Sequence, residues 1–140
     1  MQDCACQGIR RSARAITQLY DRALSPIDIK ATQFPILVGL AAAGPNVPLG
    51  AFADALAMDR TTLTRNLKPL EERGLLRIEE GEDRRLRQLN LTPQGVELLE
   101  EALTLWRQAQ DRVAGMFGDD RLAGLLGELD QLTGALRTRA

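Results

Sequence analysis

Apolar residues recur at three- and four-residue steps along most of this chain, the period of an amphipathic helix. Ile9, Ala13, Ile16, Leu19, Tyr20 and Leu24 fall on one face of a first helix, closed by Ser25-Pro26. Thr32 reads as the N-cap of a second helix carrying Phe34, Ile36, Leu37 and Leu40. Pro35 then lies in its first turn, where a missing N–H costs little. Gly44-Pro45 is a stop. A short third helix over 49–57 has Leu49, Phe52, Ala53 and Leu56 apolar. Asp59 caps a fourth, running to about Arg73, and Gly74 suits the left-handed residue that follows a helix.

After Gly74 the period changes to two. Leu75-Leu76-Arg77-Ile78-Glu79 and Leu89-Asn90-Leu91 read as short strands flanking the polar turn Glu80-Gly81-Glu82-Asp83-Arg84-Arg85, a β-hairpin. Thr92-Pro93 opens a long helix, with Thr as N-cap and Pro at the first helical position. Its apolar face is Leu98, Leu99, Ala102, Leu105, Trp106, Ala109, Val113 and Met116. Gly118 ends it, and Asp119 is expected to cap a last helix striped by Leu122, Leu125, Leu126, Leu129, Leu132 and Leu136. No internal repeat or low-complexity segment interrupts this order. The fold class is mainly α with a small β-hairpin wing.

Composition narrows the chemistry. The 140 residues suit one domain, with 44% hydrophobic and 26% charged residues, as in an ordinary globular protein. Eighteen Lys plus Arg against nineteen Asp plus Glu leave a formal charge of −1, so any basic surface is local. There is no His, which removes the commonest metal ligand and general base. The two cysteines, Cys4 and Cys6, are one residue apart, too close for an easy mutual bridge and too few for a closed zinc site. No metal or cofactor is expected. No apolar run reaches the roughly 18 residues that span a bilayer, and the arginine-bearing start lacks a signal core, so the default compartment is the cytoplasm.

From Leu49 to Leu91 the order is helix, tight Met58-Asp59 turn, helix, hairpin: a winged helix-turn-helix. Such a motif needs a second helix with one packing face and one face free to enter the major groove. Leu63, Leu67 and Leu70 supply the first; Arg60, Thr61, Thr64, Arg65 and Lys68 supply a second arc without an acidic residue. Arg can donate two hydrogen bonds to guanine, and Thr can bond or touch a thymine methyl. The plain alternative is a solvated polar face, since any surface helix has one. The hairpin favours DNA: Arg84, Arg85 and Arg87 cluster at its tip and returning strand, as suits a minor groove. Asp83 reads as an orienting partner for one of them or as a turn former. Pro69, inside the fourth helix, is expected to bend its C-terminal half.

The chain resembles the MarR family of bacterial transcriptional regulators over nearly its whole length. The resemblance is carried by Ala31-Thr32-Gln33-Phe34, by Met58-Asp59-Arg60-Thr61-Thr62-Leu63-Thr64-Arg65, and by Leu70-Glu71-Glu72-Arg73-Gly74-Leu75-Leu76. Its most specific part is Asp83-Arg84-Arg85 followed by Leu89-Asn90-Leu91-Thr92 and Gly95, which looks like the family's Asp-x-Arg wing ahead of a Leu-x-Leu-Thr strand end. The resemblance implies a two-fold dimer whose winged lobes reach successive major grooves of a pseudo-palindromic operator, usually as a repressor. It places Arg60, Thr61, Thr62, Thr64 and Arg65 at base- and phosphate-contacting positions, and Arg85 at the wing arginine, accompanied by Asp83. The expected organisation of the single domain 1–140 is a winged lobe over 30–92, with dimerisation helices in 1–29 and 93–140. The leucine stripe of the last helix fits: together with the face from Leu98 to Met116 it is more apolar surface than a small lobe covers, although packing of the two C-terminal helices on the first helix would also bury it.

Two sensing routes follow from the resemblance. Members often bind small phenolic or amphipathic compounds in a crevice between dimer region and lobes, near which lie Ile9, Ile16, Tyr20, Phe34 and Leu37; core packing is the competing role for each. One branch senses organic hydroperoxides through a first-helix Cys. Counted back from Gln33-Phe34, Cys6 falls at that position and Tyr20 at one of its accompanying tyrosines; the other two are Arg10 and Ala31 here. Arg10, one turn beyond Cys6, and a helix N-terminus would both favour a thiolate. The competing role is a small buried hydrophobe. No nucleophile–base pair or Gly-rich phosphate loop points to an enzyme. A winged module that binds protein instead of DNA is the remaining alternative.

Overall fold

The computed structural model describes residues 4–138. It resolves into two compact units, one up to Trp106 and one from Arg107.

The first unit begins with α1 (Ala5–Leu24), continued by a 3-10 turn at Ser25–Ile27. There follow α2 (Phe34–Ala43), β1 (Val47–Pro48), α3 (Leu49–Ala55), α4 (Arg60–Glu72), β2 (Leu76–Glu80) and β3 (Arg87–Leu91). The long helix α5 (Pro93–Phe117) runs through the unit boundary, and α6 (Asp119–Arg137) closes the chain. The three strands form one antiparallel sheet in the order β1-β3-β2. Leu89 pairs with both Val47 and Ile78, which fixes the register.

The core of the first unit is aliphatic. Leu24, Ile36, Leu37, Leu63, Leu67, Leu70, Leu76 and Leu89 are fully buried. Phe34 stacks on Trp106 with ring centroids 5.7 Å apart. This places Phe34 and Leu37 in the packing core. In the second unit Ala109 and Val113 are buried. No described side chain of α6 is buried, and Leu125, Leu126, Leu132 and Leu136 are exposed.

Both helices of the helix-turn-helix end in the same hydrogen-bond pattern. After α4, Leu75 N–H donates to Leu70 O and Gly74 N–H to Glu71 O, with Gly74 at φ +70°. After α3, Met58 N–H donates to Ala53 O and Ala57 N–H to Asp54 O. The left-handed residue there is Ala57, at φ +53°, where a Cβ is disfavoured. Hence α3 stops at Ala55, short of the expected position 57.

Two further expectations are corrected, and one short strand is added. Thr32 does not cap α2: the helix starts at Phe34 after Gln33, and the Thr32 hydroxyl donates sideways to Asn66 Oδ1 at 2.9 Å. Asp119 lies inside α6; the N-cap is Gly118, at φ +94°. The two-residue β1, absent from the sequence reading, pairs with β3. The long-helix start is as expected: Thr92 Oγ1 accepts Gly95 N–H at 3.0 Å, with Pro93 next to it. Helix α4 continues through Pro69 to Glu72.

Candidate nucleic-acid interface

Helix α4 has the two faces that the motif requires. Leu63, Leu67 and Leu70 are fully buried, while Arg60, Thr61, Thr64, Arg65 and Lys68 are exposed. Its start is set by Asp59, whose Oδ1 accepts Thr62 N–H at 2.8 Å and whose Oδ2 accepts the Thr62 hydroxyl at 2.7 Å. These bonds, led by that backbone N–H, hold the Asp59 carboxyl below its ordinary range. Thr62 is half-buried and its hydroxyl proton is committed to the cap, which sets it apart from the exposed arc. The Thr64 hydroxyl donates to Arg60 O at 2.7 Å, so its oxygen can still accept. Lys68 stands 4.0 Å from Glu72, an exposed pair worth at most about 1 kcal/mol.

A third side of α4 anchors it, through Asn66, which sequence reasoning passed over, and through Thr32 and Arg73 in roles that it did not assign. Asn66 Nδ2 donates to Thr62 O at 2.9 Å, and Asn66 Oδ1 accepts the Thr32 hydroxyl. Arg73 Nη1 donates to Asp28 O at 2.6 Å and Nη2 to Ile27 O at 3.0 Å. The segment between α1 and α2 is thus pinned to the middle and the end of α4. Asp21 ties it to α1 by accepting Ala31 N–H at 2.7 Å. Arg73 and Thr32 stand within the resemblance motifs, but spacing alone assigns neither a partner. Glu71 Oε1 accepts Ile78 N–H at 3.2 Å, which joins the end of α4 to β2.

The wing is the β2–β3 hairpin with its loop over 81–86. Gly81 N–H donates to Leu86 O and Leu86 N–H to Asp83 O, both at 2.8 Å. Asp83 Oδ1 accepts Arg85 N–H at 3.0 Å. Of the two roles open to Asp83, the structure supports the turn former. Arg84, Arg85 and Leu86 are exposed. Arg87 faces its cross-strand partner Glu80 at 3.8 Å, so its charge is partly balanced. At the wing's base Asn90 Nδ2 donates to Glu79 Oε2 at 2.8 Å, and Asn90 Oδ1 accepts Asn46 N–H at 2.7 Å.

Cys6 is exposed in the first turn of α1, whose N-cap is Cys4. Tyr20 is half-buried, and burial raises its phenol pKa. Fourteen residues of one helix separate the two, about 21 Å at 1.5 Å per residue, so a single chain does not bring them together. Among the described residues no group of three or more His, Cys, Asp or Glu can hold a metal ion, and no helix is long and apolar enough to cross a membrane.

The MarR family model matches residues 27–86, from the segment before α2 to the wing tip. The chain is 37% identical to the M. tuberculosis transcriptional regulator MosR, whose structure in complex with DNA superposes with a TM-score of 0.83. That match covers 96% of this chain and 99% of the other. The transcriptional repressor CouR, solved on a 23-mer DNA duplex, matches at 25% identity with a TM-score of 0.83, over 94% of each chain. The HTH-type transcriptional regulator YwoH of Bacillus subtilis is 28% identical over 112 residues, 80% of this chain and 81% of its own. With a winged helix-turn-helix whose second helix buries leucines and exposes cations and hydroxyls, and with these relatives, the chain belongs to the MarR family of DNA-binding transcriptional regulators.

Proposed function

We propose that the chain is a homodimeric repressor that reads a pseudo-palindromic operator and leaves it on a chemical signal. The observation that carries the DNA-reading part is the exposed arc Arg60, Thr61, Thr64, Arg65 and Lys68, opposite a fully buried leucine face of the same helix. In this reading the arc enters the major groove, and Arg84, Arg85 and Arg87 follow the minor groove or its phosphates. Thr62 and Asp83 act on DNA through the cap and the turn they build. The dimer is supported by the uncovered leucines of α6. The protein works in the cytoplasm, where its DNA is.

Footprinting on the chain's own upstream region tests this directly. Two protected half-sites about one helical turn apart are expected. Arg85→Ala should weaken binding and make its salt dependence shallower by about one charge. Unchanged affinity and slope would remove Arg85 from the interface.

For the signal, a hydroperoxide acting at Cys6 stands beside a small phenolic or amphipathic ligand as one of two routes. The thiol is exposed in the first turn of a helix, with Arg10 one turn on. The thiolate would attack the peroxide, giving a sulfenic acid and releasing the alcohol. Wild type should release DNA on peroxide treatment, and Cys6→Ser should not. Release of both variants only by small phenolic compounds would assign the signal to a ligand site instead.

A further inference from the structure

Gly50, the second residue of α3, stands directly under the first residue of α4. A Cβ built on Gly50 would lie 2.7 Å from Arg60 Nη2, 3.3 Å from Cζ and 3.6 Å from Nε. All three atoms belong to one planar group. The guanidinium of Arg60 therefore occupies the volume that any side chain at position 50 would need. The tight neighbours of Gly50 are only this side chain, with no backbone among them. The backbone at Gly50 has no positive φ that would require glycine. In a helix, glycine is also intrinsically worse than alanine. Local structure gives no reason for glycine here; what an added Cβ would do is displace the Arg60 guanidinium, the far end of a flexible side chain.

That placement has a consequence. In a helix-turn-helix the second helix presents its residues to bases, while the first crosses the sugar-phosphate backbone. Arg60 begins the second helix, but its charge lies over the first turn of the other. A guanidinium is a planar fork suited to a phosphate.

We propose that Gly50 is a positioning residue: by lacking a side chain it leaves the α3–α4 seam open to the Arg60 guanidinium, where Arg60 clamps a backbone phosphate instead of reading a base. This rests on the reading that the α4 arc faces DNA. The structure thereby divides the arc, with Arg60 supplying affinity and Thr61, Thr64 and Arg65 supplying sequence discrimination.

A double-mutant cycle tests it. Wild type, Gly50→Ala, Arg60→Ala and the double variant are titrated at several salt concentrations. The probes are the duplex found by footprinting the upstream region and a random-sequence duplex of equal length. Arg60→Ala should weaken binding to both by a similar factor, roughly tenfold, with a salt slope shallower by about one. Gly50→Ala should melt no lower than wild type, weaken both several-fold, and add nothing once Arg60 is alanine. Wild-type binding by Gly50→Ala, or the same loss in both backgrounds, overturns the positioning role. A loss by Arg60→Ala confined to the footprinted duplex overturns the phosphate assignment. Unchanged binding by Arg60→Ala to both duplexes takes Arg60 off the DNA face altogether, a failure of the underlying reading that the Gly50 result alone would not produce.

Discussion

The carboxylate of Asp83 accepts a hydrogen bond from the backbone N–H of Arg85 at 3.0 Å. An acidic residue among wing arginines looks misplaced for DNA, yet this one shapes the loop that carries them. Its own carbonyl also accepts Leu86 N–H at 2.8 Å, so Asp83 holds the turn with both backbone and side chain.

The turn role separates two substitutions. Asp83→Asn keeps a side-chain oxygen as acceptor and removes a negative charge from the wing. It should bind DNA at least as tightly as wild type. Asp83→Ala loses the acceptor, a bond worth about 0.5–1.5 kcal/mol. The loop then samples other conformations, and binding should weaken several-fold. Fluorescence anisotropy on a labelled operator duplex reads both. Equal weakening by the two variants would mean that the charge, not the turn, is what DNA binding needs.

Asp59 makes stability depend on acid. Its carboxyl is held below the ordinary range by the Thr62 N–H and then by the Thr62 hydroxyl. A carboxylate whose folded pKa is depressed stabilises the fold above its unfolded pKa and loses that contribution as pH falls through the folded value. The urea midpoint of Asp59→Ala should therefore lie below wild type at neutral pH. The gap should begin to narrow near the unfolded value of about 4 and close as the pH falls through the lower folded value, below which the carboxylate is protonated in both states. A gap that persists unchanged at pH 2 would assign the loss to something other than the charged cap.

Gly95 is a packing requirement. A Cβ at this position would collide with the Leu75 carbonyl oxygen and press on Leu91. The Thr92 hydroxyl, which donates to Gly74 O at 2.6 Å and accepts Gly95 N–H, locks the same corner. Backbone cannot give way as a side chain can. Gly95→Ala should thus cost about 1–3 kcal/mol in denaturant unfolding, despite replacing glycine in a helix. A stabilised Gly95→Ala would show that the corner can open.

Local chemistry made much of this legible. Asp59, Gly74 and Thr92-Pro93 mark helix ends by mechanisms that act within a few residues, and all three do so in the structure. The arc and leucine face of α4 follow from its period. What escaped depends on partners distant in sequence or on a competing local option. Thr32 looks like a cap, but its hydroxyl found Asn66, thirty-four residues on. Alanine is the best helix former, yet Ala57 adopts the left-handed turn that lets α4 begin. Two residues of β1, one of them proline, carry no readable period. Arg73 on the 27–28 carbonyls and Arg60 over Gly50 exist only once helices are packed.

The last helix carries the quaternary prediction. Leu126 is 50% exposed and Leu132 41%, and no described residue of α6 is buried. Fully burying a leucine side chain stabilises by about 1.5–3 kcal/mol, so a row of them half in water favours association. Wild type should sediment as a dimer at micromolar concentration. Leu126→Glu with Leu132→Glu puts like charges on the same stripe and should shift the protein to monomer. A dimer on a two-fold operator binds its second half-site at high effective concentration, a gain of about 10²–10⁴ over one lobe alone. The monomeric variant should therefore lose affinity for the two-half-site duplex by at least about 10²-fold. Its weaker affinity for a single half-site should be nearly unchanged, because Arg65 and Arg85 are untouched. A variant that stays dimeric and binds normally would place the interface away from these leucines.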